Sequence, residues 1–216
     1  MDYYPYNIFF LPGFCIIPVL KEHAMKSVVL IGDSIRIGYQ ETVKEILAEQ
    51  AEVWAPGENG GTSRKVMSHL DEWIIQRKPD LIHLNCGLHD LRREPEHSDT
   101  FIPAEEYREN LRKTFAHIRK SLDSVLIFAL TTPVNQEKHH KNKPFDRFEA
   151  DVEKFNRAAA QTAEEFDVPV NDLCTCIETH GKDTYLQDDG VHFTEQGYLI
   201  LAKAVAEFLS PYLKDV

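Results

Sequence analysis

The sequence is short of cationic charge, of cysteine and of uninterrupted apolar runs, and each shortage removes a class of function. Its 216 residues carry 24 Lys and Arg against 35 Asp and Glu, a formal net charge of −11. A chain with that balance repels phosphate backbones and anionic lipid, so neither nucleic acid nor a membrane is expected as a partner. Four cysteines in a chain of this length make no disulfide framework, and Cys174-Thr-Cys176 lacks the second pair that a zinc site requires. They read as buried or idle thiols. Internal repeats and low-complexity tracts are absent. The most apolar stretch, "YYPYNIFFLPGFCIIPVL" at residues 3–20, is interrupted by three prolines and has no basic segment ahead of it, which makes a poor signal peptide and a poor membrane span. Residues 1–24 are therefore read as an N-terminal extension or upstream mis-start before Met25, residues 25–216 as the functional domain, and the compartment as cytoplasmic.

From Ser27 onward, short apolar runs alternate with helical periodicity, the pattern of a parallel α/β domain. The strand candidates are 27–31, 51–54, 80–86, 124–130 and 167–170. Between them Tyr39, Val43, Ile46 and Leu47 recur at helical spacing, as do Val66, Leu70, Trp73 and Ile74. Tyr107, Leu111, Phe115 and Ile118 form a third stripe, and Phe148, Val152, Phe155 and Ala159 a fourth. A last helix starts behind Thr194 as N-cap. The segment 131–145 reads as a long irregular connection, with His139 and His140 exposed. In open parallel sheets ligands bind beyond the carboxyl ends of the strands, so the loops after each strand share one face.

Those loops carry Gly32-Asp33-Ser34, then Asn59-Gly60-Gly61-Thr62-Ser63, then Gly87-Leu88-His89-Asp90, and last "QDDGVHFTEQGY" with Asp189 three residues before His192. Each piece alone is an ordinary helix start or turn. Together they can supply what acyl transfer needs: a hydroxyl, a base for its proton, a group to orient the base, and donors for the oxyanion. Ser34 attacks, His192 takes the proton, Asp189 holds the imidazole, and the amides of Ser34 and Gly60 face the developing charge.

In this order "GDSI", "GGTS", "GLHD" and "DGVH" resemble the blocks of the SGNH hydrolases, the GDSL-type esterase and lipase superfamily, over about residues 26–212. The resemblance implies a three-layer α/β/α flavodoxin-like fold with a five-stranded parallel sheet. It also implies a triad of Ser34, Asp189 and His192, an oxyanion donor at Gly60, and no metal or cofactor. One departure stands out: His89 occupies the place of the Asn that names the third block. A neutral imidazole also donates one N–H, so His89 reads as a substitute donor. Asp90 and Asp33 read as braces for their loops, His83 as a core histidine, and Trp54 as a candidate floor for a sugar subsite.

The expected activity is hydrolysis of a carboxylic ester through an acyl-serine, with a carbohydrate O-acetyl group as substrate. Alternatives are a lipid ester or thioester, a non-catalytic glycan-binding module that has lost its donor at His89, and metal-dependent hydrolysis on Asp33, Asp90, Asp189 and His192. Each catalytic-face loop also holds a cation, among them Arg36, Arg64, Arg92, Arg93, Lys138, Lys141, Lys143 and Lys182. Arg36 and Arg64 are the expected contacts for a charged substrate.

Overall fold

In the computed structural model of the chain, residues 25–214 are described; the expected extension at 1–24 lies outside them. The apolar runs form β1 (Lys26–Ile31), β2 (Ala51–Trp54), β3 (Leu81–Leu84), β4 (Val125–Ala129) and β5 (Val170–Asn171). They make one five-stranded sheet in the order β2-β1-β3-β4-β5, every pairing parallel. β1 and β3 lie inside the sheet and are covered on both faces, which is why their sequences are nearly continuous apolar runs rather than alternating ones. His83 on β3 is fully buried beside Asn171, and burial pushes its pKa down to about 4, so it sits in the core as a neutral ring.

The helices are α1 (Ser34–Leu47), α2 (Ser63–Ser68), α3 (Leu70–Trp73), α4 (Ala104–Ser121), α5 (Gln136–Asn142), α6 (Glu149–Glu165), α7 (Leu173–His180), α8 (Lys182–Tyr185) and α9 (Glu195–Leu213). The chain runs outward from β1 to β2 and then crosses back to β3. Right-handed crossovers put those two connections on opposite faces of the sheet. Accordingly α1 packs with α9, and α4 packs with α2 and α6, giving three layers. Ile35, Tyr39, Val43 and Leu47 of α1 are buried, as are Leu201, Ala202, Val205 and Leu209 of α9. Ile46, expected in the α1 stripe, faces solvent because Leu47 takes the buried position on that turn. Thr194 caps α9 as expected, accepting from the Gly197 N–H. None of the described helices is long and apolar enough to cross a membrane.

Two expectations change. β5 begins only at Val170, since Asp167 closes the preceding turn in the left-handed region, φ 47°, where no strand can run. The segment 131–145 is not irregular throughout but contains α5, capped by the Asn135 side chain accepting from the Lys138 N–H at 2.9 Å. His139 on α5 is buried, not exposed. A short helix rich in Lys and His carries no apolar stripe, so periodicity does not reveal it.

Candidate active site

The turn after β1 is built locally. Asp33 is the N-cap of α1: its Oδ1 accepts from the Ile35 N–H at 2.9 Å and its carbonyl from the Ile37 N–H. Ser34 is therefore the first helical residue, half-buried, with an N–H that helix geometry leaves without an i−4 acceptor. Asp33 acts as the expected brace.

The second and third loops form a single unit. Asp90 accepts from the Ser63 N–H at 3.0 Å and from the Ser63 hydroxyl, and that hydroxyl accepts from Asn110 Nδ2 at 3.0 Å. Burial outweighs these bonds and raises the Asp90 pKa to about 7. Asp90 is thus the brace that was expected. Gly60 lies against the first loop: its N–H donates to the Gly32 carbonyl at 2.9 Å, and a Cβ at Gly60 would fall 2.7 Å from that oxygen. Glycine is required there by close approach. The expected oxyanion amide of Gly60 is engaged with Gly32, in contrast to the Ser34 amide.

The last loop brings Asp189 and His192 to the first. Asp189 Oδ1 accepts from the backbone N–H groups of Val191 and His192 at 3.1 and 3.0 Å, and Oδ2 lies 2.6 Å from His192 Nδ1. Burial would raise the Asp189 pKa, but these three bonds outweigh it and hold the carboxyl far below the usual carboxylate range. His192 Nε2 stands 2.9 Å from Ser34 Oγ. Serine, imidazole and carboxylate are therefore in line, within hydrogen-bond reach of one another, although the serine and histidine are 158 residues apart. The loop turns at Gly190, φ 70°, the left-handed conformation that glycine adopts without strain.

His89 is half-buried, and burial lowers its pKa; the Asp33 charge opposes that shift while Arg147, Arg92 and His192 reinforce it. The ring is kept neutral, the form in which it donates one N–H. Among the described residues no group of three or more His, Cys, Asp or Glu is arranged to hold a metal ion.

Several expected substrate contacts are otherwise employed. Arg36 is 1% exposed, and its guanidinium donates to the carbonyls of Pro56 at 2.9 Å, Glu58 at 2.6 Å and Gly32 at 3.3 Å, and to Gln40. It ties α1 to the second loop and cannot reach a substrate. Arg64 is exposed but paired with Glu106, Nη2 to Oε2 at 2.6 Å. Arg92 pairs with Glu94, Arg93 with Asp151, and Lys182 with Glu149 and Glu178. The expected open basic face is thus largely neutralised. Trp54 carries the Arg77 guanidinium 3.2 Å over its ring, so that face is closed to a sugar.

Sequence reading missed Arg147 and mistook His139. The His139 Nδ1–H donates to the Asp189 carbonyl at 3.0 Å, and Arg147 Nε donates to the Leu88 carbonyl at 2.7 Å. Both lie in a segment without strand or stripe signal. The one usable sign was Asn135, a capping residue followed by Glu137 in the first turn.

The family model of the GDSL-like lipase/acylhydrolase family matches residues 30–200. A GDSL esterase/lipase of rice, Oryza sativa subsp. japonica, is 24% identical over 198 residues, covering 84% of this chain and 76% of the relative. An acetylxylan esterase of Geobacillus stearothermophilus is 25% identical over 154 residues, covering 68% of this chain and 67% of the relative. The crystal structure of a lipase/acylhydrolase from Enterococcus faecalis shares the fold, with a TM-score of 0.74 and 24% identity over 88% of this chain and 98% of that chain. With the parallel sheet and the ordered motifs in agreement with that match, the chain belongs to the GDSL-like lipase/acylhydrolase family and is a carboxylic ester hydrolase.

Proposed function

We propose that the enzyme is a serine esterase that removes O-acetyl groups from carbohydrate. The observation that carries the chemistry is the line from Asp189 Oδ2 to His192 Nδ1, 2.6 Å, and from His192 Nε2 to Ser34 Oγ, 2.9 Å. His192 takes the hydroxyl proton as Ser34 Oγ attacks the acyl carbon, and Asp189 stabilises the imidazolium that results. The oxyanion accepts from the Ser34 N–H and from the neutral His89 ring; the Gly60 N–H joins only by leaving the Gly32 carbonyl. His192 then gives its proton to the departing alkoxide. Water, deprotonated by the same imidazole, then attacks the acyl carbon, and the imidazolium returns that proton to Ser34 Oγ as the acyl–oxygen bond breaks, restoring the serine and releasing the acid.

Carbohydrate acetate is supported by the relative named as an acetylxylan esterase. Labelling with a fluorophosphonate probe tests Ser34, and a ladder of p-nitrophenyl esters from acetate to longer acyl chains tests the substrate class. We expect labelling that Ser34→Ala abolishes and a sharp preference for acetate. Rates that rise with chain length would favour a lipid ester or thioester, and absence of labelling would favour a non-catalytic module.

A further inference from the structure

Two buried arginines, Arg36 and Arg147, form no ion pair among the described residues; carbonyls enclose the first, and the second lies between the two catalytic loops. Arg147 is 6% exposed, and among the described residues no carboxylate pairs with it. Burying a guanidinium without a partner costs several kcal/mol unless polar contacts compensate. Its contacts fall on both sides of the site. Nε donates to the carbonyl of Leu88, the residue before His89, and Nη1 stands 3.5 Å from His139 Nε2. A carbonyl can only accept, so the His139 nitrogen facing Asp189 carries the proton and the nitrogen facing Arg147 offers its lone pair. The Phe145 ring fixes the pair from one side, 5.0 Å from the Arg147 guanidinium and 5.3 Å from the His139 ring.

We infer that Arg147 is a positioning residue that, through His139, spans from the peptide before His89 to the main chain of Asp189, and so holds the oxyanion donor and the acid–base pair at one spacing. The inference rests on the reading of Ser34, His89, Asp189 and His192 given above. A fixed Leu88 carbonyl orients the 88–89 peptide and with it the His89 side chain. A fixed Asp189 carbonyl does the same for the carboxylate that holds His192. The charge of Arg147 also bears on His89 directly, together with those of Asp33, Arg92 and His192.

The test compares wild type with Arg147→Met, Arg147→Lys, His139→Ala and the Arg147→Met/His139→Ala double variant. For each, kcat and KM for p-nitrophenyl acetate, the rate of fluorophosphonate labelling and the thermal midpoint are measured. Misplacing catalytic groups by a fraction of an ångström is expected to lower kcat in Arg147→Met by roughly ten- to a hundredfold, with KM within about twofold. Arg147→Lys should recover part of the loss. His139→Ala should lower kcat as well, yet add little on top of Arg147→Met, because both break one span. A thermal midpoint that falls while kcat per folded molecule is unchanged, or losses that simply multiply, would overturn the inference. Should Arg147→Met not fold, an unchanged kcat in folded His139→Ala would overturn it equally. A wild type that the probe labels, with Arg147→Met labelled as fast, defeats this inference alone. A wild type that is not labelled defeats the serine mechanism and this inference with it.

Discussion

The turn that carries Ser34 is capped by its own neighbours and braced by the second loop through Gly60, whereas the loop that carries Asp189 and His192 is held by a segment fifty residues away. Asp33 bonds to the N–H groups of Ile35 and Ile37, both within the same helical turn. At the last loop, the Asn135 N–H donates to the Gly190 carbonyl at 2.8 Å, Asn142 Nδ2 to the Asp188 carbonyl at 2.7 Å, and His139 to the Asp189 carbonyl at 3.0 Å. Lys143 Nζ lies 3.4 Å from Asp189 Oδ2. The cap at Ser34 is thus set by contiguous residues, whereas the placement of Asp189 and His192 depends on α5, which only the folded chain brings beside them. Substitutions around α5 will consequently disturb acid–base chemistry without touching the triad.

The largest effect should come from the locally built side. Ser34→Ala removes the hydroxyl but none of the bonds that make the turn, so turnover of p-nitrophenyl acetate should fall by at least about a thousandfold, with an unaltered thermal midpoint. Activity well above that residue would show that the turn presents something other than the nucleophile. His89→Ala comes next. With the Gly60 amide engaged by Gly32, deleting the ring leaves the Ser34 amide as the free donor, and kcat should drop by roughly a hundred- to a thousandfold. His89→Asn should restore part of it. A kcat near wild type in the alanine variant would mean that Gly60 turns towards the substrate after all.

Gly190→Ala breaks the other side of the comparison. An alanine Cβ there would lie 2.4 Å from the Asn135 carbonyl oxygen and 2.8 Å from the His139 nitrogen, at a φ of 70° that side chains resist. Backbone cannot yield as a side chain does, so α5 must separate from the loop. We expect a loss of roughly 1–3 kcal/mol in stability by denaturant titration, accompanied by a lower kcat. Lost stability with kcat unchanged would show that α5 holds the loop without setting the base.

The effect expected to leave turnover least changed concerns the brace between the second and third loops. Asp90 holds its proton more tightly in the folded protein than in the unfolded chain, because burial raises its pKa from 3.8 to about 7. Its contribution to stability is therefore present at low pH and is lost as the pH rises from about 4 towards 7. Asp90→Asn should remove that part of the slope, so stability curves of variant and wild type between pH 4 and 7 should converge at one end and separate at the other. Parallel curves would show that Asp90 titrates as an ordinary carboxyl.

The strands, the capped turn at Asp33 and the spacing of Asp189 and His192 were legible because each rests on local chemistry: apolar runs, a helix start, a short i to i+3 reach. Arg36 was misread for the opposite reason. An arginine two residues after the nucleophile reads as a surface cation, and only the folded chain shows the carbonyls of Pro56 and Glu58 closing over it. Gly60 was read as an oxyanion donor, but its N–H meets the Gly32 carbonyl, and no spacing announces which acceptor will be nearest. Arg147 and His139 meet each other within a short segment, but what they hold, Leu88 and Asp189, lies 59 and 50 residues away, which no local pattern announces.

The packing of α1 against α9 has a temporal side. Ser34 leaves the ribosome well before His192, 158 residues later, and at about 5–20 residues per second that interval lasts roughly ten to thirty seconds. Throughout it the nascent chain carries a serine with no imidazole to take its proton. Ser34 and His192 come together only after the chain through His192 has emerged and α9 has packed beside α1, so a chain cut short before His192 is expected to be inert.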